Sequence, residues 1–465
     1  MTVLKIIVVS ALALLMAPLA SCAAPQQLPS ILIITVDTLR ADYLGIYGDA
    51  SAKTPNIDQL ARSATLFERA AAPMPLTRPS HFSLLTAKYP REHGVVNNAM
   101  ALPDDATTIT ELLRDLGYAT AAFLSVGLLD ETSGASQGFS TYDAAAGKYQ
   151  RHAEDTVARA LSWLQGVGED KPFFLWVHLF DPHIPYAPPE QFRPPDVVEA
   201  EDVTWPRLNR IAGENDSNIP AEILEEAKQL YRGEIAYTDY WIGELIAGVD
   251  QRGKPENTMV VFAADHGECF ENGEYFEHSD CLFEPAIRIP LLVRYPPMFA
   301  AGTRVDAQVS IIDIAPTLLR GAGVDIPEGF SGRPLQESGD FGDRYVLIQH
   351  PFYQGKLVEV RPRRRRNIRS VGGQPVGEML VDEEKVGVVG GGFKYLRSGS
   401  EEQLFQITPE TDERRNLAEL DPAARARMLD QLRRALSDHG LEMIAPSEIN
   451  EELLEALEAL GYLDN

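Results

Sequence analysis

The stretch ILIITVDTLRAD, residues 31–42, runs through six apolar or β-branched residues and then turns at once to aspartate. A strand with no polar alternate positions has no face to give to water, which is the condition of a parallel sheet covered by helices on both sides. Two further runs share the pattern, FFLWV at 173–177 and MVVFA at 259–263. Each run is followed closely by acid or histidine: Asp37 after the first, Asp181 and His183 in FDPHIPY after the second, Asp265 and His266 in ADHGE after the third. In parallel α/β sheets ligands gather at the carboxyl ends of strands, so these residues can meet in space although far apart in the chain. Two carboxylates and an imidazole suit a divalent cation. His178, at the end of the second buried strand, reads instead as a core histidine, and His93 as the organiser of a turn.

Helical patterns separate the strands, as in TITELLRDLGYAT, DTVARALSWLQGV and GEIAYTDYWIGELIAGV, and the alternation predicts an α/β sandwich with a central, mostly parallel sheet. IPLLV from Ile289 predicts another strand, and SIIDIAPTLLRGAG a helix with a glycine stop. Past Gly339 the character changes to short strand candidates (RYVLIQH, EKVGVVGGGFKYLR, EEQLFQI) and a charged helix, PAARARMLDQLRRALSDHG. These predict a smaller C-terminal antiparallel subdomain over 341–440 after a catalytic domain at 30–340, with an acidic amphipathic helix at 441–465. The run RPRRRRNIRS at 361–370 reads as a solvated loop, with an anionic glycan or phospholipid patch as the alternative.

The 465 residues, 45% hydrophobic and 24% charged, are ordinary globular material. A formal net charge of −26 argues against nucleic acid as a partner. The first residues, MTVLKIIVVSALALLMAPLASC, combine one lysine, an apolar run and small residues before Cys22. This predicts a signal peptide and lipobox over 1–22, with Cys22 lipidated and a linker at 23–29, and an uncleaved anchor as the alternative. The protein is then expected at the bacterial cell envelope, facing the periplasm or outside, tethered to membrane through the lipid. In that oxidising compartment Cys269 and Cys281 can pair as a disulfide or stay unpaired; their spacing is not that of a zinc site.

PLTRPSHFSLLT, residues 75–86, sets Thr77 ahead of Pro79 and a short apolar helix. A helix start offers free N–H groups and the positive end of the macrodipole, a place that favours a deprotonated oxygen; the plainer reading is that Thr77 only caps the helix.

With VDTLRADYLGIYG, the long TPNIDQLARSATLFERAAAPMPLTRPSHFSLLTAKYPREHGV, DPHIPYAPP, VVFAADHGE, RIPLLV, DIAPTLL and LFQITPETDERRNLA in this order over most of 31–420, the chain resembles the sulfatases of the alkaline phosphatase superfamily. The resemblance implies the alkaline-phosphatase-like fold with a small C-terminal subdomain. It implies metal ligands at Asp37, Asp265 and His266, a nucleophile at Thr77 that also binds the metal, and contacts to the ester from His183, His278 and Asn98. Arg78 and His81 join Asn98 as expected substrate-binding residues. The chain also departs from the family. His81 replaces an arginine, Thr38 stands where many members have a second metal-binding aspartate, and the lysine and histidine usual after GYAT are missing. Thr77 stands where sulfatases carry the Cys or Ser that becomes formylglycine, whose second hydroxyl expels sulfate. A single hydroxyl instead suits a covalent phosphoryl intermediate. The expectation is therefore a metal-dependent hydrolase of a phosphodiester or phosphonate ester, on a glycan- or lipid-linked anionic substrate. The alternatives are a sulfuric ester hydrolase without formylglycine and a degenerate anion-binding protein. Zinc or manganese is expected over calcium, which prefers six to eight oxygens, with calcium kept as the alternative.

Overall fold

A computed structural model describes residues 27–146, 150–279, 281–350, 368–376, 385–408 and 413–441. The expected lipid anchor at Cys22, most of the arginine run and nearly all of the C-terminal acidic segment lie outside them.

Among the described residues the centre is a nine-stranded sheet. Its strands are β1 (Ser30–Val36), β2 (Thr65–Ala71), β3 (Ala119–Leu124), β4 (Thr141–Ala144), β5 (Phe173–Leu179), β6 (Thr258–Ala264), β7 (Arg288–Ile289), β8 (Leu291–Arg294) and β9 (Thr303–Ser310). They lie in the order β7-β2-β8-β6-β1-β5-β3-β4, with β9 on β2. The three apolar runs of the sequence are the adjacent strands β6, β1 and β5, all parallel and buried along their lengths. The IPLLV strand runs against them: β8 is antiparallel to both β6 and β2. Ala153–Gly166 packs on β3, β5 and the long helix Ala221–Asp250, while Ile314–Gly321 packs against β6 and the Thr77–Thr86 helix.

The parallel register carries the functional consequence. Pairing of Val36 with Leu179 and with Ala264 ends three strands level with one another, so the residues that follow leave the sheet at one edge. The alkaline-phosphatase-like α/β architecture is complete with the four-stranded antiparallel sheet Val346–Gln349, Lys385–Gly390, Phe393–Ser398 and Glu401–Gln406, covered by helix Pro422–Asp438. Its apolar core is not separate, since Tyr89, Ile287 and Ile312 of the larger part pack into it. Fully buried Lys394 joins the two parts by ion pairs to Glu284 at 2.7 Å and Glu413 at 3.0 Å.

Candidate active site and metal centre

Asp37 follows β1 and Asp265 follows β6, and both are fully buried, with His266 beside them. Asp265 Oδ1 accepts from the N–H groups of Thr38 at 3.2 Å and His266 at 2.8 Å, which turns Oδ2 inward. His266 Nδ1 lies 3.0 Å from the Gly267 carbonyl, which can only accept, so Nδ1 carries the hydrogen and Nε2 is a bare lone pair in the neutral ring. That Nε2 is 3.5 Å from Asp265 Oδ2 and 3.9 Å from Asp37 Oδ1. The loop can close this tightly because position 267 is glycine; a Cβ there would fall 1.9 Å from the Pro285 carbonyl oxygen. Thr38 takes a left-handed φ of 53°, held by the Tyr231 hydroxyl, which donates to its carbonyl at 2.6 Å. Such strain persists where the surroundings enforce it, and it is common at sites of chemistry.

Five buried atoms here have no hydrogen-bond partner: both oxygens of Asp37, Thr38 Oγ1, Asp265 Oδ2 and His266 Nε2. Burial raises the Asp37 carboxyl to about 7, opposed by His278 and reinforced by Glu268. It also raises Asp265 well above the carboxylate range, with the Asp37 charge adding to the effect. Burial likewise drives the His266 imidazole well below its usual value. Carboxylates and a neutral imidazole that converge in a dry place and lack partners fit a divalent cation, whose charge relieves the desolvation. Asp37, Asp265 and His266 would hold it.

Thr77 is the first residue of the helix Thr77–Thr86, two residues ahead of Pro79, and it is buried. The preceding residue is Leu76 and no side chain caps the helix, so Thr77 does not serve as its cap. Its turn is tied to the acidic cluster twice: the Ser80 hydroxyl donates to the Asp265 carbonyl at 2.7 Å, and His81 Nδ1 contacts both the Thr77 carbonyl at 2.7 Å and Asp265 Oδ2 at 3.7 Å.

Two residues expected to bind substrate have other work. His81 is fully buried with both nitrogens engaged, Nδ1 on the Thr77 carbonyl and Nε2 on Thr35 Oγ1 at 3.2 Å, so it positions the Thr77 turn. The Arg78 guanidinium donates to the carbonyls of Leu128 at 2.6 Å and Met100 at 3.0 Å, which anchors that loop. Asn98 accepts from the Arg78 N–H at 3.0 Å, beside Thr77. Asp181 faces away from the cluster: it accepts from the Ala153 N–H at 3.0 Å and pairs with His152 at 3.5 Å.

His278 and His183 extend the site outward. The His278 ring lies 4.3 Å from that of His266, and the partly exposed His183 ring 5.5 Å from His278, centroid to centroid. Burial alone would lower His278, but the Glu268 carboxylate 3.5 Å away overrides it and lifts the imidazole to about 9. Cys269 and Cys281 are disulfide-bonded and bracket the segment that carries His278.

Two residues escaped the sequence reading. Glu268 is fully buried, accepts from the Tyr186 hydroxyl at 3.1 Å and leaves one oxygen toward His278. His178 points Nε2 at Asp37 Oδ2, 3.5 Å away. The signal for His178 was the parallel register, which sets it beside Thr35, two residues before Asp37 on the same face of β1.

A buried hydroxyl residue at a helix start, tied to a buried cluster that could hold a cation at the carboxyl edge of a mostly parallel sheet, is the arrangement expected of an ester hydrolase of the alkaline phosphatase superfamily. The chain belongs to the sulfatase family, whose model matches residues 29–324. It is 30% identical over 364 residues to an ulvan-active sulfatase of Formosa agariphila, covering 70% of this chain and 69% of that one. It is 24% identical to an N-acetylglucosamine-6-O-sulfatase of Bacteroides thetaiotaomicron, covering 68% and 73%. Among solved structures, one bound to D-glucosamine-2-N,6-O-disulfate superposes with a TM-score of 0.71 at 19% identity, covering 89% of this chain and 98% of that one. The phosphonate monoester hydrolase of Agrobacterium radiobacter does so with 0.70 at 19% identity, covering 88% and 96%.

Proposed function

We propose that the chain hydrolyses an anionic ester by transferring its sulfuryl or phosphoryl group first to Thr77 Oγ1 and then to water. The observation that carries this reading is the set of unpartnered atoms on Asp37, Asp265 and His266, of which Asp265 accepts a hydrogen bond at its backbone carbonyl from Ser80 in the helix turn that Thr77 begins. A divalent cation bound there supplies positive charge that lowers the pKa of a nearby hydroxyl and offsets charge on the transferred group. Thr77 Oγ1 attacks the central atom, the bond to the bridging ester oxygen breaks, and the alcohol leaves with the hydroxyl proton. Water then attacks the same atom in line and Thr77 recovers its proton. His183 and His278 face the approach and contact the ester oxygens, while His81 and Ser80 hold the Thr77 turn still.

On substrate class, the relatives favour sulfate esters over the phosphoester expected from Thr77, and an ulvan-active enzyme and a glucosamine-disulfate complex among them favour a glycan carrier. Release of sulfate from a threonine with one hydroxyl has to proceed by water attack at sulfur. One specific observation supports phosphate or phosphonate esters as a second reading: that same single hydroxyl, which suits two successive displacements at phosphorus. Neither family membership nor the converging ligands support a degenerate anion-binding protein.

The deciding experiment compares an aryl sulfate, an aryl phosphodiester and an aryl phosphonate ester with the metal-loaded protein and with Thr77→Ala. Turnover of the aryl sulfate that disappears in the variant carries the first reading, and faster Thr77-dependent phosphodiester or phosphonate cleavage replaces it with the second. Activity that survives Thr77→Ala removes Thr77 as the nucleophile. The variant is expected to stay folded, because the Thr77 hydroxyl does not cap its helix.

A further inference from the structure

The hairpin that follows the His266 loop seats a carboxylate against an imidazole. Its strands, Cys269–Glu271 and Glu274–Glu277, pair antiparallel with Cys269 opposite Glu277, so Glu268 and His278 are the next facing positions. The Cys269–Cys281 disulfide, and the Cys281 N–H donating to the His278 carbonyl at 2.9 Å, hold the turn that carries the histidine. Glu268 is fully buried, and among the described residues its carboxylate has no Lys or Arg partner. Arg40 reaches only its backbone carbonyl, at 3.2 Å. Among the described residues it also stands outside the groups of converging metal-ligand atoms. A buried carboxylate costs stability unless its oxygens are engaged, so the groups they face identify its use.

Those groups are two. Oε2 accepts from the Tyr186 hydroxyl at 3.1 Å, and Oε1 lies 3.5 Å from His278 Nδ1, neither atom of that second pair having another partner. Tyr186 is itself fixed: it is fully buried, its ring packs on those of Tyr231 and Phe270, and its backbone exchanges both hydrogen bonds with Val203. Tyr186 also ends the FDPHIPY loop that carries His183, so one loop supplies the outer histidine and the anchor of the inner one. We propose that Glu268 is a positioning residue for His278: held by Tyr186, it keeps the imidazole with Nδ1–H toward itself, so that Nε2 is the nitrogen presented to the ester. A carboxylate behind a histidine sets its tautomer and the orientation of its ring. This rests on the reading of His278 as a contact of the ester given above.

Two independent readouts test it. In full-length, metal-loaded protein labelled with ¹⁵N-histidine, and with the His278 signals assigned by their loss in His278→Ala, nitrogen shifts should show the hydrogen on Nδ1. A bare Nδ1 overturns the arrangement whatever the substrate proves to be. On the aryl ester turned over fastest, Glu268→Gln should lower kcat at least about tenfold while KM and Zn²⁺ affinity stay within about threefold. Tyr186→Phe, which removes one hydroxyl, should lower kcat in the same way by a smaller factor. In the His278→Ala background Glu268→Gln should cost less than about twofold more, because residues that act through one another are not additive. The same loss with and without His278 would make Glu268 a structural residue, and an unchanged kcat in Glu268→Gln would leave it no role; either result overturns the proposal. Full kcat in His278→Ala would instead sink the reading of His278 as an ester contact, and this inference with it.

Discussion

Asp265 does two jobs at one residue, and they lie on different oxygens. Oδ1 receives two backbone N–H groups that shape the β1 and β6 exits, while Oδ2 is unpartnered and faces His266. Removing the side chain takes away a candidate ligand and also relaxes the loops that aim the others. Protein purified without chelator should therefore carry a stoichiometric transition metal by elemental analysis, and Asp265→Ala should carry almost none. Stoichiometric calcium that survived the substitution would overturn both the metal class and the centre. Asp37, Thr77, Asp265 and His266 were legible as candidate positions because each stands just after an apolar run or at a helix start, where a charge or hydroxyl has a reason beyond solubility. Arg78 and His81 read the same way in sequence, yet their side chains turn to backbone carbonyls and to Thr35, a choice made by loops far away in the chain. His178 was illegible for the converse reason: one histidine in an apolar run looks like core until the register shows its neighbour.

At the scale of elements, unbroken apolar runs disclosed β1, β5 and β6, since a strand covered on both faces has no polar alternation to confuse it. β2 (TLFERAA) and β9 (TRVDAQVS) were not read, because polar residues interrupt their apolar pattern and β9 is largely exposed over its first half. Charge placement discloses nothing about how the two sheets join, where Lys394 adds an ion-pair link to the shared apolar core. Burial alone would lower its pKa, but Glu284 and Glu413 more than compensate, so it stands above the usual 10.5. A lysine whose folded pKa is raised contributes its full stabilisation below the unfolded value, and loses it as pH climbs through the folded one. Lys394→Met leaves the buried Glu413 carboxylate uncompensated beside the partly buried Glu284 and should cost about 3–5 kcal/mol in urea unfolding at pH 7. The variant should also lack the wild type's extra loss of stability above pH 10.5. A loss near zero at pH 7 would show that the subdomain is held by its apolar core alone.

The whole molecule carries a net charge of −26, an awkward sign for an enzyme that must capture an anion, and the more so if the anion is a sulfated polymer. Tethering is one remedy, because it confines the enzyme to a surface where substrate is concentrated. We propose Cys22 as the lipid-bearing residue; among the described residues no helix is long and apolar enough to cross a membrane. Radiolabelled palmitate should enter the wild type and not Cys22→Ala, and label that persists in the variant would place the lipid elsewhere.

Long-range repulsion should also show in the kinetics. The Debye length falls from about 30 Å near 10 mM salt to about 8 Å near 150 mM, so the general negative field reaches a docking polyanion at low salt and hardly at all at the higher. Charges within the site act over a few ångströms and are screened far less. Raising ionic strength over that range should therefore increase kcat/KM for a sulfated oligosaccharide by several-fold, through faster association, while kcat stays constant. A small monoanionic aryl sulfate, carrying one charge where the polymer carries many, should respond much less. A fall in kcat/KM for the polymer with added salt would reverse the conclusion. It would mean that a local cationic surface, not the overall charge, guides the substrate in, and Arg361 to Arg369 would be the first residues to replace.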